Sequence, residues 1–182
     1  KNQTEVSLTA STNSLSNYQT TQFNSSWMGM QTLSSTAAGL SLDLSGVSAS
    51  NIVDMRAGAF SSINIKDTSY NAGIGGAKPQ TFYNLNNVGL AYDASISSLI
   101  GGSSSDVVYV SNKSVAIDGN GGSDTVYLYG KASDWTQSQG QANNETIYTN
   151  GSVTARLKNV ESIAYYALAS SPMTHSRVDL MA

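Results

Sequence analysis

Two short stretches place glycines and an aspartate directly before an apolar run, a combination that could bind a metal ion. The candidate positions are Gly101, Gly102, Ser104 and Asp106 in "IGGSSSDVVYV", and Gly119, Asn120, Gly122 and Asp124 in "DGNGGSDTVYL". Glycine lets the backbone bend so that several carbonyls point at one place, and aspartate adds negative charge. Oxygen ligands in flexible geometry suit calcium, which takes about six to eight of them.

The spacing of the two stretches separates a repeat from an ordinary hairpin turn. Asp106 and Asp124 are 18 residues apart, which is two units of the nonapeptide repeat G-G-x-G-x-D-x-U-x, where U is apolar. Apolar residues follow the same nonapeptide period at Leu99, Val108, Ile117 and Val126. In a parallel β-roll each unit is a half-turn of the coil, and the U side chains point inward. The two glycine-rich turns would then stack, with one calcium ion between them.

Each copy departs from the repeat at one position, with Ser104 and Asn120 where glycine is expected. Two alternatives therefore stay open: ordinary turns rich in aspartate and asparagine, or a metal-free coil that asparagine and serine hydrogen bonds hold together. The half-turn between the copies, "VSNKSV", has Lys113 and Val115 in the places of glycine and aspartate. The opposite side of the coil is therefore expected to hold no calcium.

The elements that must position these turns are short strands. Alternating apolar runs, separated by clusters of glycine, serine and asparagine, predict strands along most of the chain. "TNG" predicts a hairpin turn, and only "YYALASSPM" could be helical, ending at Pro172. The predicted fold is all-β: a short parallel β-roll or β-helix core with flanking antiparallel strands. We expect a single module over residues 1–182, which comprises a strand-rich N-terminal region (residues 1–85), a calcium-repeat coil (residues 86–130), and a closing hairpin and tail (residues 131–182).

Composition narrows the function classes. The net charge is −3 and only 12% of the residues are charged, so no basic stripe is available to bind nucleic acid. No apolar run is long enough to cross a bilayer, so membrane insertion is not expected. The one histidine, His175, lies in a polar tail, and neither H-E-x-x-H nor G-x-S-x-G occurs, so we expect no enzyme activity.

Tyrosine is abundant, with 10 residues. Tyr109 and Tyr127 occupy the same repeat position, so on a β-roll their rings would stack on one outer face. Such a ladder could bind a sugar ring or a partner sheet. Packing against the N-terminal region of the chain is the interpretation that we favour.

Three motifs precede the repeats: "DLSG" at residues 43–46, "DMR" at 54–56 and "GAFS" at 58–61. With these motifs, residues 40–130 resemble the C-terminal domain of serralysin-type metalloproteases. The segment after Asp124 resembles the closing unit of type I-secreted repeat-in-toxin proteins, with Asn159, Val160 and Glu161 at its asparagine-valine-glutamate step.

The resemblance implies calcium as cofactor, the type I secretion machinery as partner, and a secreted or cell-surface location in a Gram-negative bacterium. Because this sequence lacks the zinc motif of serralysins, the implied function is a non-catalytic, calcium-stabilised extracellular module. Two other functions stay open. One is a self-assembling surface-layer or adhesion protein, whose partner would be another copy or a cell-surface glycan. The other is the C-terminal fragment of a secreted hydrolase, with a sugar-binding role.

Overall fold

A computed structural model describes residues 12–14, 31–34, 39–70, 79–83 and 85–167, and the fold in these ranges is all-β, as predicted. The strands are β1 Thr12–Ser14, β2 Gln31–Leu33, β3 Leu40–Asp43, β4 Ile52–Asp54, β5 Phe60–Ser61, β6 Lys66–Tyr70, β7 Pro79–Tyr83, β8 Val88–Leu90, β9 Ile96–Ile100, β10 Val107–Tyr109, β11 Val115–Asp118, β12 Thr125–Tyr129, β13 Thr136–Gln139, β14 Glu145–Asn150, β15 Val153–Lys158 and β16 Ser162–Tyr166. A short 3₁₀ helix, Ala132–Asp134, precedes β13. His175 lies outside the described residues.

Eight of these strands form two sets of parallel neighbours that the chain visits alternately. The first sheet contains β3, β9, β11 and β15 in this order, and the second contains β4, β10, β12 and β16. Each coil runs from a strand of the first sheet, through a turn, to a strand of the second. We number these turns by coil: turn 1 is residues 44–51, turn 2 is 101–106, turn 3 is 119–124 and turn 4 is 159–161. This alternation is the predicted parallel β-roll.

Inward-facing apolar side chains fill the space between the two sheets. Leu99 and Ile117 lie in register in the first sheet, and Val108 and Val126 lie in register in the second. Each of the four is at most 3% exposed, so the predicted ladder is confirmed. The ladder continues in the neighbouring coils with Leu42, Val53 and Leu157. Burying a side chain of this size stabilises a fold by roughly 1.5–3 kcal/mol.

The coil extends beyond the segment 86–130 that the repeat marks. Strands β3 and β4 form a first coil, and β15 and β16 form a fourth. The chain between the first and second coils contains β5 to β8, and the chain between the third and fourth contains β13 and β14. Strand pairing needs matching strands but not turns of equal length, so these outer coils keep the register although their turns no longer follow the repeat.

The closing hairpin is confirmed, whereas the helix is not. Strands β14 and β15 pair antiparallel across Gly151, whose φ of 57° suits the tight turn predicted at "TNG". Glu145 and Arg156 form an ion pair between these two strands, which lowers the pKa of Glu145. Tyr165 and Tyr166 belong to β16, so the helix predicted from "YYALASSPM" does not begin there; residues 168–173 lie outside the described ranges.

Candidate functional site

One position recurs directly before each of the four strands of the second sheet. Its occupants are Asn51, Asp106, Asp124 and Glu161, which the strand register aligns across the coils. Each acidic member accepts the backbone N–H of the member one coil before. The donor–acceptor distances are 2.8 Å for Asp106 Oδ1, 2.7 Å for Asp124 Oδ1 and 2.7 Å for Glu161 Oε2. The side chains therefore form a carboxylate ladder that joins successive turns.

In turn 2 both carboxylate oxygens of Asp106 have protein donors. Asn51 donates to Oδ1 from its backbone N–H at 2.8 Å and from its side-chain amide at 2.9 Å. Gly102 donates its backbone N–H to Oδ2 at 2.7 Å. Burial raises the pKa of Asp106, although these hydrogen bonds act in the opposite direction. Turns 1 and 2 together therefore supply donors to both oxygens of Asp106.

Asn120, which replaces a glycine of the repeat, covers two carbonyls of turn 2. Its side-chain Nδ2 donates to Gly101 O at 3.3 Å and to Gly102 O at 3.1 Å. The backbone N–H of Gly121 also donates to Gly102 O, at 3.2 Å. These two carbonyls were candidates to face calcium, and in the structure both accept protein hydrogen bonds.

Ser104, the other departure from the repeat, and Gly122, one of its glycines, make contacts between turns. The Ser104 hydroxyl donates to the backbone oxygen of Ser48 in turn 1 at 2.8 Å. Gly122 has a φ of 115°, and a Cβ at this residue would lie 2.5 Å from the carbonyl carbon of Ser104. Both residues therefore support the stacking of the coils.

In turn 3 one oxygen of the aspartate has no hydrogen-bond partner. Asp124 is 2% exposed; its Oδ1 accepts the Asp106 N–H, and its Oδ2 accepts no hydrogen bond from the described residues. The group equivalent to the Gly102 N–H is the N–H of Asn120, which donates instead to Asp118 Oδ1 at 3.1 Å. Burial, together with repulsion from neighbouring carboxylates, raises the pKa of Asp124 to about 6.

Two oxygens lie close against the backbone of Gly119. A Cβ at Gly119 would lie 2.4 Å from Asp124 Oδ2 and 2.1 Å from the backbone oxygen of Asn159 in turn 4. Only glycine therefore allows both oxygens to approach this backbone, since any side chain would clash with them. A buried, unpaired carboxylate oxygen beside a carbonyl is a donor set that fits calcium. This pair of oxygens lies between turns 3 and 4, one coil beyond the predicted position, where Gly119 O and Asp106 Oδ2 lie against Gly101 in the same way but Asp106 Oδ2 already accepts the Gly102 N–H.

The ammonium group of Lys158, which directly precedes turn 4, pairs with Asp118. Lys158 Nζ donates to Asp118 Oδ2 at 2.8 Å, and the Asn159 side chain donates to Asp118 Oδ1 at 2.8 Å. Burial favours a higher pKa for Asp118, but these hydrogen bonds outweigh it and lower the pKa. Asp118 therefore holds the Lys158 charge, and Asp124 Oδ2 keeps no donor.

The structure brings the predicted positions together and adds three residues that were not candidate ligands. The eight predicted positions all lie in turns 2 and 3, which stack through hydrogen bonds. Asn51 and Glu161 could have been found because each directly precedes a strand, as Asp106 does. Asn159 aligns with Gly119 only through the pairing of β11 with β15. Within the described residues, no three histidine, cysteine or acidic side chains converge as a metal-binding group.

A second feature lies on the outer face of the second sheet. The rings of Tyr109 and Tyr127 stack, with centroids 4.6 Å apart and planes inclined by 16°, as predicted. The Arg56 guanidinium lies 5.8 Å from the Tyr109 centroid and 5.4 Å from that of Tyr166, and it pairs with Asp54. Because Arg56 belongs to the N-terminal region, this geometry matches internal packing of the tyrosines.

The sequence matches no protein-family model and no curated protein. Across the stretches of chain that the structure describes, no helix has the length and apolar character needed to cross a membrane. The geometry of the turns is therefore the basis for a functional proposal.

Proposed function

We propose that this chain is a non-catalytic, calcium-stabilised module of an extracellular protein. The observation that carries the proposal is Asp124 Oδ2, a buried oxygen that accepts no hydrogen bond within the part of the chain that the structure describes. A buried polar atom without a partner costs about 1–3 kcal/mol, and more when it is charged. A cation paired with this oxygen would remove that cost and stabilise the folded coil.

Residues of two adjacent turns would hold the ion. Asp124 Oδ2 and the Asn159 carbonyl oxygen both lie against the Gly119 backbone. Glu161, whose Oε2 accepts the Asp124 N–H, adds a second carboxylate at the exposed rim. Calcium supplies the positive charge that this set lacks, and it accepts irregular oxygen ligands completed by water.

The role of such an ion would be to fasten the fourth coil to the third. The two turns come together only in the folded state, so binding favours folding by mass action. The resemblance to secreted repeat proteins supports a location outside the cell, with export by a type I machinery. In that setting calcium would complete the coil after export.

Thermal unfolding in calcium and in a chelator tests the proposal. At a hundredfold excess over Kd, binding to the folded state adds about 2.7 kcal/mol. For a chain of this size that raises Tm by roughly 5–10 °C. Asp124→Asn should remove most of the shift, because it removes the charge and keeps an oxygen for the Asp106 N–H.

The matched control is Asp93→Asn, which removes the same charge from an exposed position. This variant should keep the full calcium shift. A wild-type Tm that is identical in calcium and in chelator would contradict the proposal, as would a shift that Asp124→Asn leaves intact.

A further inference from the structure

We propose that the Asn120 side-chain amide takes the place of a cation between turns 2 and 3, so that turn 3 binds one ion only, on its side facing turn 4. This inference rests on the proposed function and specifies how many ions the coil holds and where. It also assigns a role to the residue at which the second copy departs from the repeat.

The amide of Asn120 sits where two carbonyls converge. Nδ2 is 3.3 Å from Gly101 O and 3.1 Å from Gly102 O. An amide NH₂ group has two N–H donors and carries partial positive charge. It therefore offers these two oxygens the same kind of attraction as a cation, without the cost of dehydrating an ion.

The carboxylate oxygens of Asp106 on this side of turn 3 also have donors. Asp106 Oδ1 accepts two hydrogen bonds from Asn51, and Asp106 Oδ2 accepts the Gly102 N–H. An ion between turns 2 and 3 would have to displace the Asn120 amide and compete with these donors. On the other side of turn 3, Asp124 Oδ2 has no donor to displace.

The backbone at Asn120 links the two sides of turn 3. Its φ of 68° lies in the left-handed region, which asparagine tolerates better than most residues. In this conformation its N–H donates to Asp118, while its side chain reaches back to turn 2. One residue therefore closes the site on one side and leaves Asp124 unpaired on the other. A glycine would allow the same backbone but leave the two carbonyls of turn 2 uncovered.

Calcium stoichiometry measured by equilibrium dialysis of three variants tests the inference. The wild type should bind one ion per chain. Asn120→Gly removes the amide, and Asn120→Asp replaces it with a carboxylate facing the same two carbonyls, so both should bind two. The control is Asn112→Asp, an exposed position on the opposite side of the coil, which should bind one.

Melting in chelator is the second readout. Asn120→Asp should lower Tm by roughly 3 °C or more, because its carboxylate repels the two carbonyls, and saturating calcium should restore the loss. Asn112→Asp should melt as the wild type does. Asn120→Gly removes the amide without adding charge, so its stoichiometry still decides the matter if Asn120→Asp fails to fold.

The outcomes separate this inference from the proposed function. No bound calcium on any of the proteins would contradict both. One ion on every protein, with Asn120→Asp melting like Asn112→Asp, would overturn the inference and leave the proposed function standing. Two ions on the wild type would overturn it as well, because the amide would then exclude nothing.

Discussion

Turns 2 and 3 share their length, their register and an aspartate at the same position, yet only the aspartate of turn 2 has donors for both of its carboxylate oxygens. Three N–H groups reach the Asp106 carboxylate, whereas one reaches Asp124. The difference begins at the residue after the first glycine. Gly102 directs its N–H at the aspartate, whereas Asn120 directs its N–H at Asp118.

The residue one coil earlier in the carboxylate ladder also differs between the two aspartates. Asp106 follows Asn51, whose side-chain amide supplies a donor. Asp124 follows Asp106, whose carboxylate has no N–H to give, and its free oxygen lies near the Asn159 carbonyl. A buried acceptor among donors is stable as it stands, whereas a buried acceptor among acceptors requires a proton or a cation. Equal sequence motifs thus acquire different chemistry from the coil on either side.

The largest effect is expected from a substitution in the apolar ladder, because these inward-facing side chains support both turn 2 and turn 3. Ile117→Asp would bury a carboxylate among apolar side chains, at a cost of several kcal/mol, comparable to the stability of a whole domain. Ala116→Asp changes the exposed neighbour in the same strand and should be tolerated. Circular dichroism melts and soluble yield compare the two. Equal tolerance would contradict the β-roll.

Adding a methyl group at Gly119 or at Gly121 compares the proposed calcium site with a neighbouring position in the same turn. Gly119→Ala places a Cβ 2.1 Å from the Asn159 backbone oxygen, which cannot move freely. We expect a loss of about 1–3 kcal/mol and loss of the calcium response. Gly121→Ala, whose Cβ would have no neighbour closer than 3.6 Å, should cost little. Urea unfolding with and without calcium measures the stability of both variants. A Gly119→Ala variant with full stability and a full calcium response would contradict the proposed site at Gly119.

The stabilities of Asp106→Asn and Asp124→Asn in chelator test whether the two aspartates differ in their hydrogen bonding. Asn at position 106 offers one oxygen to three donors and turns its NH₂ toward an N–H, so Asp106→Asn should lose about 1–3 kcal/mol. Asp124→Asn keeps the oxygen that accepts the Asp106 N–H and relieves a buried charge. It should therefore equal or exceed the wild type in stability. Losses of the same size in both variants would show that the two turns are equivalent.

The pH dependence of stability in chelator tests the same difference between the two aspartates. The pKa of Asp124 in the folded state is raised to about 6, above the value of about 3.9 in an unfolded chain. The folded state therefore binds the proton more tightly, and the stability this group contributes is present below about pH 4 and lost as pH rises through about 6. Relative to Asp124→Asn, the wild type should lose stability between these values. Parallel profiles from urea unfolding would refute the raised pKa.

Much of the fold could be predicted from the sequence because the nonapeptide period is a local property of the chain. The spacing of Leu99, Val108, Ile117 and Val126 fixes which side chains face inward, and the structure buries all four. The outer coils could not be predicted because their turns differ in length from the repeat and other strands lie between the coils. No fixed spacing therefore connects Asn51 to Asp106.

The candidate site was only partly predictable, for a physical reason. The repeat identifies Asp106 and Asp124 as equivalent, and the one local difference between their turns, Asn120 in place of Gly102, does not reveal by itself where its N–H points. What separates them is the direction of the Asn120 N–H and the identity of the residue one coil away. The Asn159 carbonyl reaches Gly119 across the pairing of two strands that are far apart in the chain, which spacing alone does not reveal.

The measurement that tests the central claim most directly is the titration of the Asp124 side-chain carboxyl carbon by NMR, in chelator and in saturating calcium. We predict a midpoint near pH 6 in chelator, as expected from the pKa raised to about 6, and no titration in that range with calcium bound. The Asp106 carboxyl, whose oxygens already have donors, should respond far less to calcium. An Asp124 midpoint near that of an exposed aspartate, unchanged by calcium, would contradict the calcium site at turn 3.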